Sequence, residues 1–109
     1  MKLVTAVLPV AGFERVHQAL RTLGIPGVTV STVFATGIQP PRYEVYRGVR
    51  RLVELRPAVR MDIVAADSDA ADVLRVIMVA GAGHGGSVRV QPVDLVVRIR
   101  TRERGEAAL

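Results

Sequence analysis

The order of hydrophobic periods along the chain constrains its fold more than any other feature. The opening run KLVTAVLPV is short, mostly apolar and bounded by Pro9 and Gly12, and it reads as a buried strand. Phe13, Val16, Leu20 and Leu23 then recur at three- and four-residue steps up to Gly24, the signature of an amphipathic helix stopped by glycine. From Gly27, GVTVSTVFAT alternates β-branched with small polar residues, which predicts a second strand. Val59, Met61 and Ile63 alternate with Arg60 and Asp62 as a third. ADSDAADVLRVIMVAGAG predicts a second helix, capped by Asp67 or Ser68, with Ala70, Val73, Leu74 and Ile77 on one face. SVRVQPVDLVVRIR supplies a last strand, broken at Pro92. The resulting order predicts an α+β, ferredoxin-like βαββαβ domain, an antiparallel sheet with both helices on one face. The other face, rich in Val and Ile on this reading, then needs cover, which self-association would provide.

At 109 residues the chain is read as one domain over residues 1–109. It has two Phe, two Tyr and no Trp, so the core must be built from Val, Leu, Ile and Ala. With no cysteine there is no disulfide, thiolate metal site or thiol nucleophile. No run approaches a membrane span and no signal peptide is visible, so a cytoplasmic location is expected. The formal charge is +5, and Lys2 is the sole lysine among 15 basic residues, a bias toward bidentate anion binding. The arginines are scattered, with no basic helical stripe and no aromatic platform for bases, so nucleic acid is not expected as a partner.

Three segments stand apart from the scaffold. Residues 37–57 hold Pro40, Pro41, Gly48, Pro57, both tyrosines and several arginines, and no single period fits them. So long a connection in so small a domain is commonly functional or mobile; the plainer alternative is a hairpin that extends the sheet. GAGHGGS is rich enough in glycine to approach a ligand with its backbone. Near the end, Arg98 and Arg100 alternate with Val97 and Ile99, which at strand spacing aims two guanidinium groups to one side with no acid between them. Such a pair either faces open water or awaits an anion.

KLVTAVL at the start, GVTVSTV at 27–33, GIQ at 37–39, EVYRG at 44–48, LRPAVRMDIV at 55–64 and the terminal VVRIRTRERGEAAL resemble the PII signal-transduction proteins, in order and over nearly the whole chain. The resemblance implies a homotrimer that binds an adenine nucleotide, ATP, ADP or AMP with or without magnesium, in clefts between subunits. It also implies a long T-loop, here about 37–57, that engages a target transporter or enzyme, and a shorter B-loop, about 81–87. Carried over residue by residue, Arg98 and Arg100 approach the phosphates, with Gly85, Gly86 and Ser87 of the B-loop beside them. Thr29 lies toward the adenine, and Gly37 and Gln39 at the T-loop base, Gln39 toward the metal and 2-oxoglutarate. The T-loop presents Arg42, Tyr43, Tyr46, Arg47, Arg50 and Arg51 to the partner. Several positions depart from the family pattern. Arg51 stands where many members carry a modifiable tyrosine, so that covalent control is expected to be lost. Ala58 replaces the lysine that pairs with 2-oxoglutarate, Ile38 an arginine, and Pro40 follows Gln39, so dicarboxylate sensing is expected to be lost or altered. Ser87 falls near the place of the B-loop lysine, which weakens the expectation for triphosphate in particular.

Catalysis is not expected. His17 is placed on the polar side of its helix, and His84, although between glycines, has no placed carboxylate beside it; with Asp62, Asp67 and the tyrosines they form no constellation of base and nucleophile. Two histidines without cysteine cannot complete a transition-metal site in one chain. The alternatives to a nucleotide sensor are a metal- or other anion-responsive trimer and a degenerate structural trimer without nucleotide binding.

Overall fold

A computed structural model describes residues 1–38, 40 and 42–109. Gln39 and Pro41 lie outside the described residues, and with them the role expected of Gln39. The elements are β1 (Lys2–Pro9), α1 (Val10–Leu23), β2 (Thr29–Ala35), β3 (Arg42–Tyr46), β4 (Val49–Val53), β5 (Arg56–Ala65), α2 (Asp67–Ala80), β6 (Ser87–Pro92) and a 3-10 turn, Gly105–Ala108. Strands β2-β5-β1-β6 form a four-stranded sheet, antiparallel throughout, and β3 and β4 a separate two-stranded ribbon. This is the ferredoxin-like fold, carrying a hairpin between its second and third scaffold strands.

The helical stripes and the strand alternation meet in one core. Val4, Ala6 and Leu8 of β1 and Val59, Met61 and Ile63 of β5 pack against Val16 and Leu20 of α1 and Val73 and Ile77 of α2. Each Val, Leu, Ile or Met side chain so taken out of water contributes about 1.5–3 kcal/mol. α1 ends where expected, with Gly24 left-handed at φ 93° and its N–H donating to the Arg21 carbonyl. Gly12, a boundary in the sequence reading, is inside α1. His84 approaches it there, leaving a hypothetical Cβ only 3.1 Å from the His84 Cβ. His17 is not on the polar side of α1: four residues from Phe13, it stacks on that ring with centroids 5.2 Å apart.

Neither Asp67 nor Ser68 caps α2. The N-cap is Ala66, without a side-chain hydrogen bond. Asp67 instead lies in the first turn and accepts from the Met1 ammonium at 2.9 Å, where an acid also suits the helix dipole.

The sheet face away from the helices is not the Val- and Ile-rich surface predicted. Register places Leu3, Thr5 and Val7 of β1 there beside Ala58, Arg60, Asp62 and Val64 of β5 and Ser87, Arg89 and Gln91 of β6. At its centre Thr5, only 1% exposed, donates its hydroxyl to Asp62 Oδ1 at 2.6 Å, while Arg60 Nε donates to Asp62 Oδ2 at 3.2 Å. Every isoleucine of the sheet sits on the helix side, because Ile63 alone falls within its strands and pairs with Val4.

The last strand is also shorter than the alternation suggested. β6 stops at Pro92, and Val93 donates its N–H to the Met1 carbonyl. Pro92 is level with Lys2, the first residue of β1, and the ladder between the two strands ends there. Residues 97–104 instead close a turn, with one bridge between Val97 and Arg104. Arg102 donates its N–H to the Arg98 carbonyl at 2.7 Å, and Arg98 its N–H to the Glu103 carbonyl at 2.9 Å. Arg98 therefore leads into a turn and Arg100 lies within it, rather than both lining one face of a strand.

Candidate functional site

The connection between β2 and β5 spans residues 36–55, since Arg56 and Pro57 already belong to β5. Its centre is neither structureless nor an extension of the main sheet: RYEVY and VRRLV pair as a free-standing arm. Arg47 and Gly48 take φ of 51° and 76°, the left-handed pair of a two-residue type I′ turn that matches strand twist. All six arm residues singled out, Arg42, Tyr43, Tyr46, Arg47, Arg50 and Arg51, are exposed. The Arg50 guanidinium carbon lies 3.9 Å from the Tyr43 ring centroid, and that of Arg47 5.3 Å from Tyr46. Arg42 pairs with Glu44 at 3.4 Å.

The glycine segment runs over residues 81–86, Ser87 being the first residue of β6, opposite Val7. Gly85 and Gly86 have φ of 87° and 106°, a region costly for any residue with a Cβ. Both are also hemmed in. A Cβ on Gly86 would stand 2.4 Å from the Val7 carbonyl oxygen, and one on Gly85 2.8 Å from that of Ile38. The glycines thus let this loop lie directly against the end of β1 and the base of the arm. Two clefts open here. One of about 400 Å³ is lined by Leu8, Ile77, Met78, Gly85, Gly86 and Ser87, among others. Another of about 380 Å³ sits between the legs of the arm, lined by Gly37, Ile38, Pro40, Leu52, Glu54 and Arg56 among others.

The remaining candidates are placed elsewhere. Thr29 is exposed on edge strand β2, level with Asp62. Arg98 and Arg100 are exposed, and neither lines either cleft. The geometry of β6 accounts for this: its first residue is level with Val7 and its last with Lys2, so the glycine loop and the arginine turn leave it at opposite ends, about 17 Å apart along β1. Arg56 and Glu54 of the arm-base cleft were not singled out from sequence, nor were Thr5 and its contact to Asp62. Arg56 and Glu54 lie where no period fits, and Thr5 is an ordinary strand residue until its cross-strand neighbour is known. Among the described residues, no group of three His, Asp or Glu side chains is placed to hold a metal ion, and no helix is long and apolar enough to cross a membrane.

Comparison with known proteins agrees with this architecture. The family model described as "Nitrogen regulatory protein P-II" matches residues 1–103. The nitrogen regulatory protein GlnK of Escherichia coli K12 is 38% identical over 112 aligned positions that cover all of both chains. The nitrogen regulatory proteins P-II of Azospirillum brasilense and Rhizobium meliloti are 35% and 34% identical with the same full coverage. A match along the whole length, on the fold that such a match requires, makes this chain a member of the P-II nitrogen regulatory protein family.

Proposed function

We propose that this P-II family protein acts as a homotrimeric signalling protein that binds an adenine nucleotide between subunits and regulates a target transporter or enzyme through its arm. The observation that carries this reading is the seating of Gly85 against the Ile38 carbonyl. A ligand that orders the glycine loop changes what the base of the arm rests on, so differential affinity for two loop states becomes a shift in arm population. Gly83, Gly85 and Gly86 all have positive φ, and successive backbone N–H groups in such a segment suit phosphate oxygens. The guanidinium forks of Arg98 and Arg100 match the same oxygens. Because they leave β6 at the end opposite to the glycine loop, their natural route to a shared phosphate is from a second copy of the chain, which supports a site between subunits. Thr29 and Gly37 complete the site on this reading, and magnesium, when bound, would supply charge neutralisation to a di- or triphosphate.

Two family properties are absent from the proposed function. Ala58 is fully buried between Pro9 and Val33 and offers no cation, and Ile38 adds an apolar wall, which supports 2-oxoglutarate sensing that is lost or altered. Arg51 occupies the position of the modifiable tyrosine, so control by that tyrosine's modification is absent from this reading. Calorimetry with ATP, ADP, AMP and cyclic AMP, alongside light scattering for the oligomer, tests the proposal. One or more nucleotides should bind the trimer, and Arg98→Ala should weaken that binding about tenfold or more, the value of a charge-assisted phosphate contact. A trimer that binds none of the four overturns the sensor, and unchanged binding in the variant removes Arg98 from the site.

A further inference from the structure

We propose that the cleft between the legs of the arm binds a free α-amino acid with an apolar side chain, its carboxylate on Arg56 and its ammonium on Glu54. The cleft is built within one chain, and of its described lining only Gly37 also belongs to the nucleotide reading. The proposal therefore stands or falls apart from a site between subunits. Arg56 opens β5, level with Ala35 at the end of β2, and Glu54 lies in the short link from β4. Both face the same space of about 380 Å³, a volume within the range of small-molecule sites.

These two charges do not satisfy each other. At the same two-residue spacing, Arg60 closes on Asp62 at 3.2 Å and Arg42 on Glu44 at 3.4 Å. Among the described residues, neither Glu54 nor Arg56 has an ion-pair partner or a side-chain hydrogen bond. Arg56 is half-buried, where a cation without an anion is costly. A ligand that carries both charges answers both side chains at once, and the guanidinium fork matches a carboxylate in two parallel hydrogen bonds.

The rest of the lining sets the body of the ligand. Ala35, Ile38, Leu52 and Val53 are apolar, and all but Leu52 are half-buried. The charge pattern disfavours the other classes. A phosphate ester or a dicarboxylate sets a second negative group against Glu54, and a simple amine meets Arg56. An α-amino acid holds its two charges on one carbon, which fits between side chains two residues, about 7 Å, apart along an extended chain. Because the lining comes from both legs, a bound amino acid fastens the base of the arm, and amide exchange in residues 36–38 and 52–54 should slow.

The test is calorimetry on the full-length chain with L-leucine, L-valine and L-methionine, and with the analogues of each that lack the ammonium or the carboxylate. At least one amino acid should bind, and both of its analogues about tenfold or more weakly. Arg56→Gln should weaken the amino acid about tenfold or more, and Arg15→Gln, equal in charge but on α1, by less than about twofold. Glu54→Gln should erase the preference for the amino acid over its deaminated analogue, a change of specificity that a disordered arm would not produce. Binding of none of the three amino acids overturns the proposal. So does tighter binding of 2-oxoglutarate, equal loss in Arg56→Gln and Arg15→Gln, or a preference that survives Glu54→Gln. Nucleotide calorimetry on the same preparations separates the two readings. Amino acid binding without nucleotide binding overturns only the sensor, and nucleotide binding without amino acid binding overturns only this site.

Discussion

β5 carries Arg60 two residues before Asp62, and β3 carries Arg42 two residues before Glu44, each an ion pair along one strand face, at 3.2 and 3.4 Å. On the scaffold the acid also accepts the hydroxyl of a buried threonine from the neighbouring strand. On the arm Glu44 lies opposite Arg51, in water. Valines divide the same way: Val4, Val16 and Val73 are fully buried, while Val45 is 73% exposed. Glycines do too. Gly86 is enclosed by the backbone of β1, whereas nothing lies within 4 Å of a Cβ on Gly48. The same residue types therefore do different work in the two regions, and what decides it is the material across from them. The scaffold is held by packing. The arm is held by local geometry, so it should open at a lower free energy than the sheet.

Gly86→Ala should separate the two regions most. Its Cβ would drive into the Val7 carbonyl at a φ that disfavours any side chain, so β1 or the glycine loop must move, and global stability should fall by more than about 3 kcal/mol in chemical denaturation. Gly48→Ala, with the same backbone preference but open space, should cost about 1 kcal/mol, read as faster amide exchange in β3 and β4 alone. Equal effects would abolish the distinction between packed and local glycines. Next in size, Ile77→Ala empties a core position and should cost about 2–4 kcal/mol. Val45→Ala should stay within about 0.5 kcal/mol of wild type. A larger loss at Val45 would mean that the arm packs on something in the assembly.

The sequence makes the scaffold legible because each of its elements has one period and one partner. Phe13 to Leu23 and Ala70 to Ile77 read as helices, and Val59 to Ile63 as a strand, before any pairing is known. Legibility fails where pairing decides. VVRIR has the alternation of a strand, but it folds back on residues 103–105 through a single bridge, Val97 to Arg104, instead of joining the sheet. The arm hairpin is hidden for the opposite reason: its strands are short, and its turn is Arg-Gly rather than the usual Asn-Gly or Asp-Gly. Thr5 looks like filler until Asp62 is placed beside it. Of the candidate site, the glycine loop and the base of the arm meet, while the arginine turn leaves β6 at the other end; strand spacing alone cannot reveal that separation.

The two ion pairs themselves give a smaller test of the same contrast. Thr5→Val deletes the buried hydroxyl that donates to Asp62 and should cost about 1–2 kcal/mol, because a charged acceptor loses one of its two partners in a shielded position. Glu44→Gln, removing an exposed pair, should change stability by less than about 0.5 kcal/mol. If the two variants were equally mild, the polar centre of the sheet would be no more ordered than the arm's surface.

The smallest expected effect belongs to the scaffold's own exposed ion pair, between Asp67 and the Met1 ammonium. The hydrogen bond from that ammonium, then its charge, holds the Asp67 carboxyl below its ordinary 3.8, with Lys2 adding to the same direction. A carboxyl with a lowered value in the folded state releases its proton more readily there than in the unfolded chain. Its contribution is therefore complete above 3.8 and is lost as pH falls through the lower folded value. Asp67→Asn should lower the melting temperature slightly at neutral pH, and the two melting curves should converge in acid, below the ordinary carboxylate range. A gap that persisted unchanged in acid would assign the stabilisation to helix geometry rather than charge. A gap absent at every pH would place this scaffold pair with Arg42 and Glu44, as surface charge that solvent already satisfies.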